Sequence, residues 1–249
     1  MPVFSDSHIH IAHIDDWAPV NDDWPVCAAA HSVDELILTE TVAKRADSRV
    51  FLSCGIHPQN PDTALAPFTE HLLAENRIAA IGEAGFDLFT AEYKADIKRQ
   101  REAWNVQLEL AERFQKPLVI HCRKALHLIF EDTARLAKIP ACVFHSFAGS
   151  PIEAMSLVKR GVNAYFSFGK PLLNGAARAI ACVRELSLDR LLAETDAPYQ
   201  RLKNETRTLP GDIIRIHRAI AAIADIPVES AAEAISRNFF AVYAEGNRN

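Results

Sequence analysis

The stretch Val3-Phe4-Ser5-Asp6-Ser7-His8-Ile9-His10-Ile11 ends in strict alternation of polar and apolar residues, the period of a strand. Side chains two apart share a face of a strand, so His8 and His10 point the same way. Phe4, Ile9 and Ile11 mark the strand as mostly buried. Two imidazoles side by side in such a setting are costly unless something binds them. A divalent transition metal is the simplest partner, because neutral imidazole is its commonest ligand; a hydrogen-bonded histidine pair is the other reading.

Working outward, short apolar runs recur along the chain at 3–11, 25–31, 50–57, 78–86, 117–122, 141–147, 162–168 and 190–197. Near-continuous apolar runs are what strands covered on both faces look like, hence parallel strands. The segments between them carry helix signals. Ser32 with Glu35 reads as a capping box, and Ser150-Pro151 with Glu153 gives a cap, a first-turn proline and a box partner, closed by Gly161. In 91–115 Trp104, Leu108 and Ala111 share one face, and in 211–224 Ile213, Ile216, Ile220 and Ile223 do the same. The helix at about 228–244 should finish the outer ring. Eight strand-helix units predict a closed (β/α)₈ TIM barrel forming a single domain over 1–249. An open doubly wound sheet is the alternative, but no Gly-x-Gly-x-x-Gly follows the first strand.

The bulk numbers agree. The chain has 249 residues, 49% hydrophobic and 24% charged, enough apolar material for one sizeable core. A net charge of −5 gives no global attraction to nucleic acid or anionic membrane, so binding of a polyanion must rest on a local patch. No run is apolar enough to span a bilayer and no leader pattern opens the chain. The five cysteines (Cys27, Cys54, Cys122, Cys142 and Cys182) include no Cys-x-x-Cys pair, and they read as reduced thiols of a cytoplasmic protein.

Polar residues stand at informative places. Glu83, His121, His145 and Asp196 each lie at or near the C-terminal end of a different run, and in a barrel those ends converge on one face. With His8 and His10 they make four histidines and two carboxylates. A tetrahedral ion takes at most four protein ligands, so six suit two ions sharing a bridging carboxylate. Two ions ~3.5–4 Å apart can activate a water and stabilise both oxygens of a displacement at phosphorus. Zn²⁺, Mn²⁺, Fe²⁺, Co²⁺ and Ni²⁺ all suit histidine with carboxylate; Mg²⁺ is less natural with four histidines.

Asp6-Ser7-His8-Ile9-His10, Gly55-Ile56-His57-Pro58, Ile81-Gly82-Glu83-Ala84-Gly85-Phe86-Asp87, His121-Cys122-Arg123, His145-Ser146-Phe147-Ala148-Gly149-Ser150 and Glu194-Thr195-Asp196-Ala197-Pro198-Tyr199 resemble, in order, the successive signatures of the TatD family. Arg237-Asn238-Phe239-Phe240 resembles that family's closing helix. These are metal-dependent hydrolases of the amidohydrolase superfamily, known mostly as deoxyribonucleases. The resemblance implies that His8 and His10 bind a first metal, that Glu83 bridges both and that His121 and His145 bind the second. Asp196 ligates the first metal and acts as general base, or at least orienter, for the attacking water. Glu83 and Asp196 are thus the expected catalytic carboxylates.

His57 and Arg123 are the expected substrate contacts. His57 either meets a substrate phosphate or supports a ligand. Arg123 either pairs with an acidic group between strand ends or bends toward a phosphate oxygen. Asp6 reads as a buried polar partner, Asp87 as a loop-fixing carboxylate and Cys122 as packing. His13, His31, His71, His127 and His217 read as surface or packing residues. The segment Tyr199-Gln200-Arg201-Leu202-Lys203-Asn204-Glu205-Thr206-Arg207-Thr208-Leu209-Pro210-Gly211 departs from the family's pattern. Its Arg201, Lys203 and Arg207, with Lys170, are either a basic rim for a phosphate chain or solvated loop charges. Phe86, Phe89, Phe147 and Tyr199 are either stacking surfaces near the site or packing.

The expected reaction is phosphodiester hydrolysis, of DNA ends or short single strands, by a water activated between the two metals. The alternative is hydrolysis of a C–N or carboxylic ester bond on the same metals. Against it, the bridging position holds Glu83 and not a lysine available for carboxylation. A non-catalytic metal-binding or scaffold protein is the third reading, and with every expected ligand present nothing supports it.

Overall fold

A computed structural model describes residues 2–46 and 49–244. Its eight strands are β1 (Asp6–Ile9), β2 (Val26–Ala30), β3 (Val50–Cys54), β4 (Ala80–Asp87), β5 (Leu118–Arg123), β6 (Cys142–Phe144), β7 (Ala164–Phe168) and β8 (Leu191–Ala193). All neighbouring pairs are parallel and their order follows the chain. Just past β1 and β8 the ring draws together. Asp196 N donates to His8 O at 2.9 Å, and His10 N donates to Ala197 O at 2.8 Å. The expected (β/α)₈ barrel is therefore present, nearly closed.

The helices are α1 (Val33–Ala46), α2 (Ala66–Ala74), α3 (Ala91–Ala95), α4 (Ile97–Phe114), α5 (Leu126–Glu131), α6 (Thr133–Leu136), α7 (Pro151–Lys159), α8 (Ala177–Glu185), α9 (Asp212–Ala224) and α10 (Val228–Tyr243). The segment expected as one helix over 91–115 is two, broken at Asp96. Trp104, Leu108 and Ala111 of α4 are fully buried, as their spacing requires. Ser150 and Glu153 form the full capping box of α7. At α1 the box is shifted. Ser32 Oγ accepts from Glu35 N, but the Glu35 carboxylate accepts from His31 N and not from Ser32 N.

The last helix does more than finish the ring. Phe239, Val242 and Tyr243 of α10 pack with Cys27, Val119, Val143 and Leu192 from inside the barrel, and Tyr243 Oη donates to Ser7 O at 3.0 Å. The barrel's lower end is thus filled by aromatic side chains, and the polar residues collect at the opposite rim. β4 carries the tightest backbone approach. A Cβ on Gly85 would stand 2.1 Å from His121 O, and one on Gly82 2.7 Å from Val119 Cβ; both glycines have positive φ. Only glycine lets β4 lie this close to β5 while Glu83, between the two, turns into the barrel mouth.

Candidate metal centre

The rim gathers the residues that the sequence singles out. His8 and His10 come from β1 and its end, Glu83 from β4, His121 from β5, His145 from the end of β6 and Asp196 from just beyond β8. All six are buried. Asp196 has a left-handed backbone (φ 53°), which an aspartate tolerates better than most residues. That turn aims its carboxylate back across the mouth.

The donor atoms fall into two groups about Glu83. On its Oε1 side, His8 Nε2 lies 3.3 Å away and His10 Nε2 3.6 Å away; Asp196 Oδ1 is 3.7 Å from His8 Nε2 and 3.2 Å from His10 Nε2. The two imidazole nitrogens are 3.2 Å apart. On its Oε2 side, His121 Nδ1 is at 3.1 Å, His145 Nε2 at 2.8 Å, and these two nitrogens are 3.2 Å from one another. Four ligands on a tetrahedral ion with ~2.1 Å bonds sit ~3.4 Å apart, so both groups have the spacing of donors around a cation. Glu83 Oε1 has no hydrogen-bond partner although it is buried, an orphaned acceptor that a cation would satisfy. The residues present therefore fit divalent cations.

The electrostatics of the bare site agree with that chemistry. Burial opposes ionisation of Glu83, but His145, His8 and His57 outweigh it and hold the carboxyl well below its usual range. Asp196 is likewise held low against burial, by His10 first. Burial also opposes protonation of His145, yet Glu83 and Glu194 keep its pKa well above the ordinary value. Against burial, His10 is likewise raised by Asp196 and Glu83, whereas burial lowers His8, so positive charge is favoured at two of the imidazoles around Glu83.

Supporting contacts fix the ligands. His121 turns its other nitrogen to Asp87 Oδ2 at 3.1 Å, and Asp87 also accepts from Gln59 Nε2 and Phe89 N. His145 Nδ1 lies 3.5 Å from Glu194 Oε1, which accepts from Ser146 N at 2.8 Å. Asp6 accepts from Thr195 Oγ1 at 2.6 Å and from the backbone of Thr195 and His8, and burial pushes its carboxyl up to about 7. Asp6 and Asp87 therefore hold the structural posts expected of them.

Other expectations need correcting. Lys170 is no part of a basic rim: it is fully buried and paired with Glu205 and Asp212, which also hold Arg215. Phe86 and Phe147 are buried packing residues, whereas Phe89 and Tyr199 are about half exposed. Arg123 lies 3.7 Å from Asp87 and over the Phe89 ring, the acidic pairing that was one of its two readings, and it also lines the cleft. His57 also lines the cleft, 3.7 Å from Glu83 Oε2, and burial pushes its pKa down to about 4.

Two histidines read as packing or surface residues belong to the site. His31 Nε2 is 3.1 Å from Glu83 Oε1, and His13 bonds Tyr199 Oη at 2.7 Å. His31 follows the β2 run directly, the same station as His10, His57 and His145, and that station was the signal available. Glu194 is the other site residue that the reading passed over. Above the centre opens a cleft of about 710 Å³, lined by Tyr199, Gln200, Arg201, Gln59 and Arg123 among others.

Comparison with known proteins gives a consistent picture. The family model described as "TatD related DNase" matches residues 6–244. A Mycobacterium tuberculosis protein named an uncharacterized metal-dependent hydrolase TatD is 30% identical over 236 residues, 89% of this chain and 87% of the relative. A Cronobacter turicensis protein named a 3′-5′ ssDNA/RNA exonuclease TatD is 31% identical over 192 residues, 72% of each chain. Among solved structures, the TatD homologue YjjV of Escherichia coli superposes with a TM-score of 0.82 over 97% of this chain and 98% of that one, at 20% identity.

Proposed function

The chain belongs to the TatD-related DNase family, and on that premise we propose that it is a divalent-metal-dependent phosphodiesterase acting on DNA ends or short single strands. The observation that carries the reading is the division of donors across the two oxygens of Glu83, at cation spacing, on the floor of an open cleft. His8, His10 and Asp196 would hold one ion, His121 and His145 the other, and Glu83 both. Such ions lower the pKa of water toward neutrality and neutralise charge growing on phosphoryl oxygens.

The chain's own groups do the rest. Asp196 is ionised at neutral pH and can accept the proton of the attacking water. Gln200 Nε2 donates to its Oδ2 at 2.8 Å, fixing the carboxylate while Oδ1 faces His10. His57 Nδ1 accepts from Gln59 N, so the neutral ring carries its proton on Nε2, 3.7 Å from Glu83 Oε2. His57 and the half-exposed Arg123 both line the cleft, where each would donate to a phosphate oxygen.

Metal-stripped protein reloaded with Mn²⁺ or Zn²⁺ tests the reading. Turnover is expected on bis(p-nitrophenyl) phosphate and on a 3′-labelled oligonucleotide, and none on a carboxylic ester panel. Turnover confined to the esters would overturn it. Asp196→Asn should keep the fold and lower turnover about 10²–10⁴-fold, the range of a lost general base; an unchanged rate removes the role given to Asp196.

A further inference from the structure

We propose that His31 is a further ligand of the first ion, oriented by Glu35, so that this position is held by His8, His10, His31, Glu83 and Asp196. The inference rests on the two-ion reading above and adds to it a residue outside the expected six. The geometry is threefold about each oxygen of Glu83. Oε2 faces His57, His121 and His145, and Oε1 faces His8, His10 and His31, with His31 the nearest at 3.1 Å. The donor atoms of His10, His31 and Glu83 all lie within 4.8 Å of one another.

The tautomers separate His31 from His57. A carboxylate only accepts, so a ring nitrogen turned to one carries the proton and leaves the lone pair on the other. His121 turns Nε2 to Asp87 and His145 turns Nδ1 to Glu194, each freeing the nitrogen that faces Glu83. His31 has the same order of groups at longer range: its Nδ1 lies 3.8 Å from Glu35 Oε2, an ion-pair distance and not a hydrogen bond, while its Nε2, 3.1 Å from Glu83 Oε1, is buried with no hydrogen-bond partner. A carboxylate behind the ring is the arrangement that orients metal-bound histidine. His57 has a backbone donor at Nδ1 instead, and so presents N–H, not a lone pair.

Glu35 is itself fixed. Its carboxylate accepts from His31 N at 2.7 Å, its backbone N donates to Ser32 Oγ at 3.2 Å, and His13 Nε2 lies 3.3 Å from Oε1. Glu35 is therefore a positioning residue, acting through His31.

Calorimetric titration of the metal-free protein with Zn²⁺, with metal content after gel filtration, reads the site without reference to activity. The wild type should take two equivalents. His31→Ala and the milder His31→Gln should weaken one of them about 100-fold and leave the other, and Glu35→Gln should weaken the same one about 10-fold. With Co²⁺ the visible absorption of that equivalent alone should change in the variants, as the number of ligands falls. Two equivalents at unchanged affinity in all three variants overturn the role of His31 and leave the two-ion reading standing. A wild type that takes up no metal overturns both.

Discussion

At the scale of single residues, position along the chain predicts chemistry better than residue type does. His8, His10, Glu83, His121, His145 and Asp196 were legible because each ends an apolar run, and strand ends in a barrel share one face. His31 occupies the same station after Val26–Ala30 yet gave little signal, since it is followed by a helix cap that explains its neighbourhood equally well. His217 shows the opposite outcome, a histidine that is purely structural. It is buried in α9 with Nε2 bonded to Ser5 O at 2.9 Å, and burial pushes its pKa down to about 4 from 6.5. The folded chain refuses a proton that the unfolded chain accepts. Its contribution is therefore complete above pH 6.5 and lost as pH falls from there toward 4. Between pH 7.5 and 4.5 His217→Gln should lose about 2 kcal/mol less stability than the wild type, read from urea midpoints. Equal losses would sink the assignment.

At the scale of elements, the strands were legible and the segment after β8 was not. Strands covered on both faces advertise themselves as apolar runs. The 199–211 segment has neither period, and of the four charges that read as solvated or substrate-facing, Lys170 organises it from outside. Buried Lys170 ties Glu205 to Asp212 at the start of α9, and Leu202 N donates to Glu205. A cation buried beside two acids looks, in sequence, like any other lysine, because its partners are 35 and more residues away. Lys170→Met should free the segment. Trypsin should then cut after Lys203 or Arg207 faster than in the wild type, and KM for an oligonucleotide should rise more than kcat falls. Unchanged cleavage rates would show that the segment is held by other contacts.

At the scale of the molecule, α10 seals one end of the barrel with Phe239 and Tyr243, and the other end concentrates buried histidines and acids. Cations that bind the folded chain and not the unfolded one stabilise it by mass action. At 100-fold excess over Kd one site contributes about 2.7 kcal/mol, which in a chain of this length raises Tm by about 5–10 °C. Differential scanning calorimetry with and without Mn²⁺ or Zn²⁺ reads the shift, and identical melting curves would deny the centre its cations. Among the described residues no helix is long and apolar enough to cross a membrane, and all five cysteines are free thiols.

The seam between β1 and β8 also spans most of the chain. His8 and Asp196 are hydrogen-bonded neighbours across it, yet they lie 188 positions apart in the chain. A polypeptide ending short of Asp196 would lack both this hydrogen bond and one of the six rim side chains, so the donor set is complete only once the chain has run through nearly all of its strand-helix units.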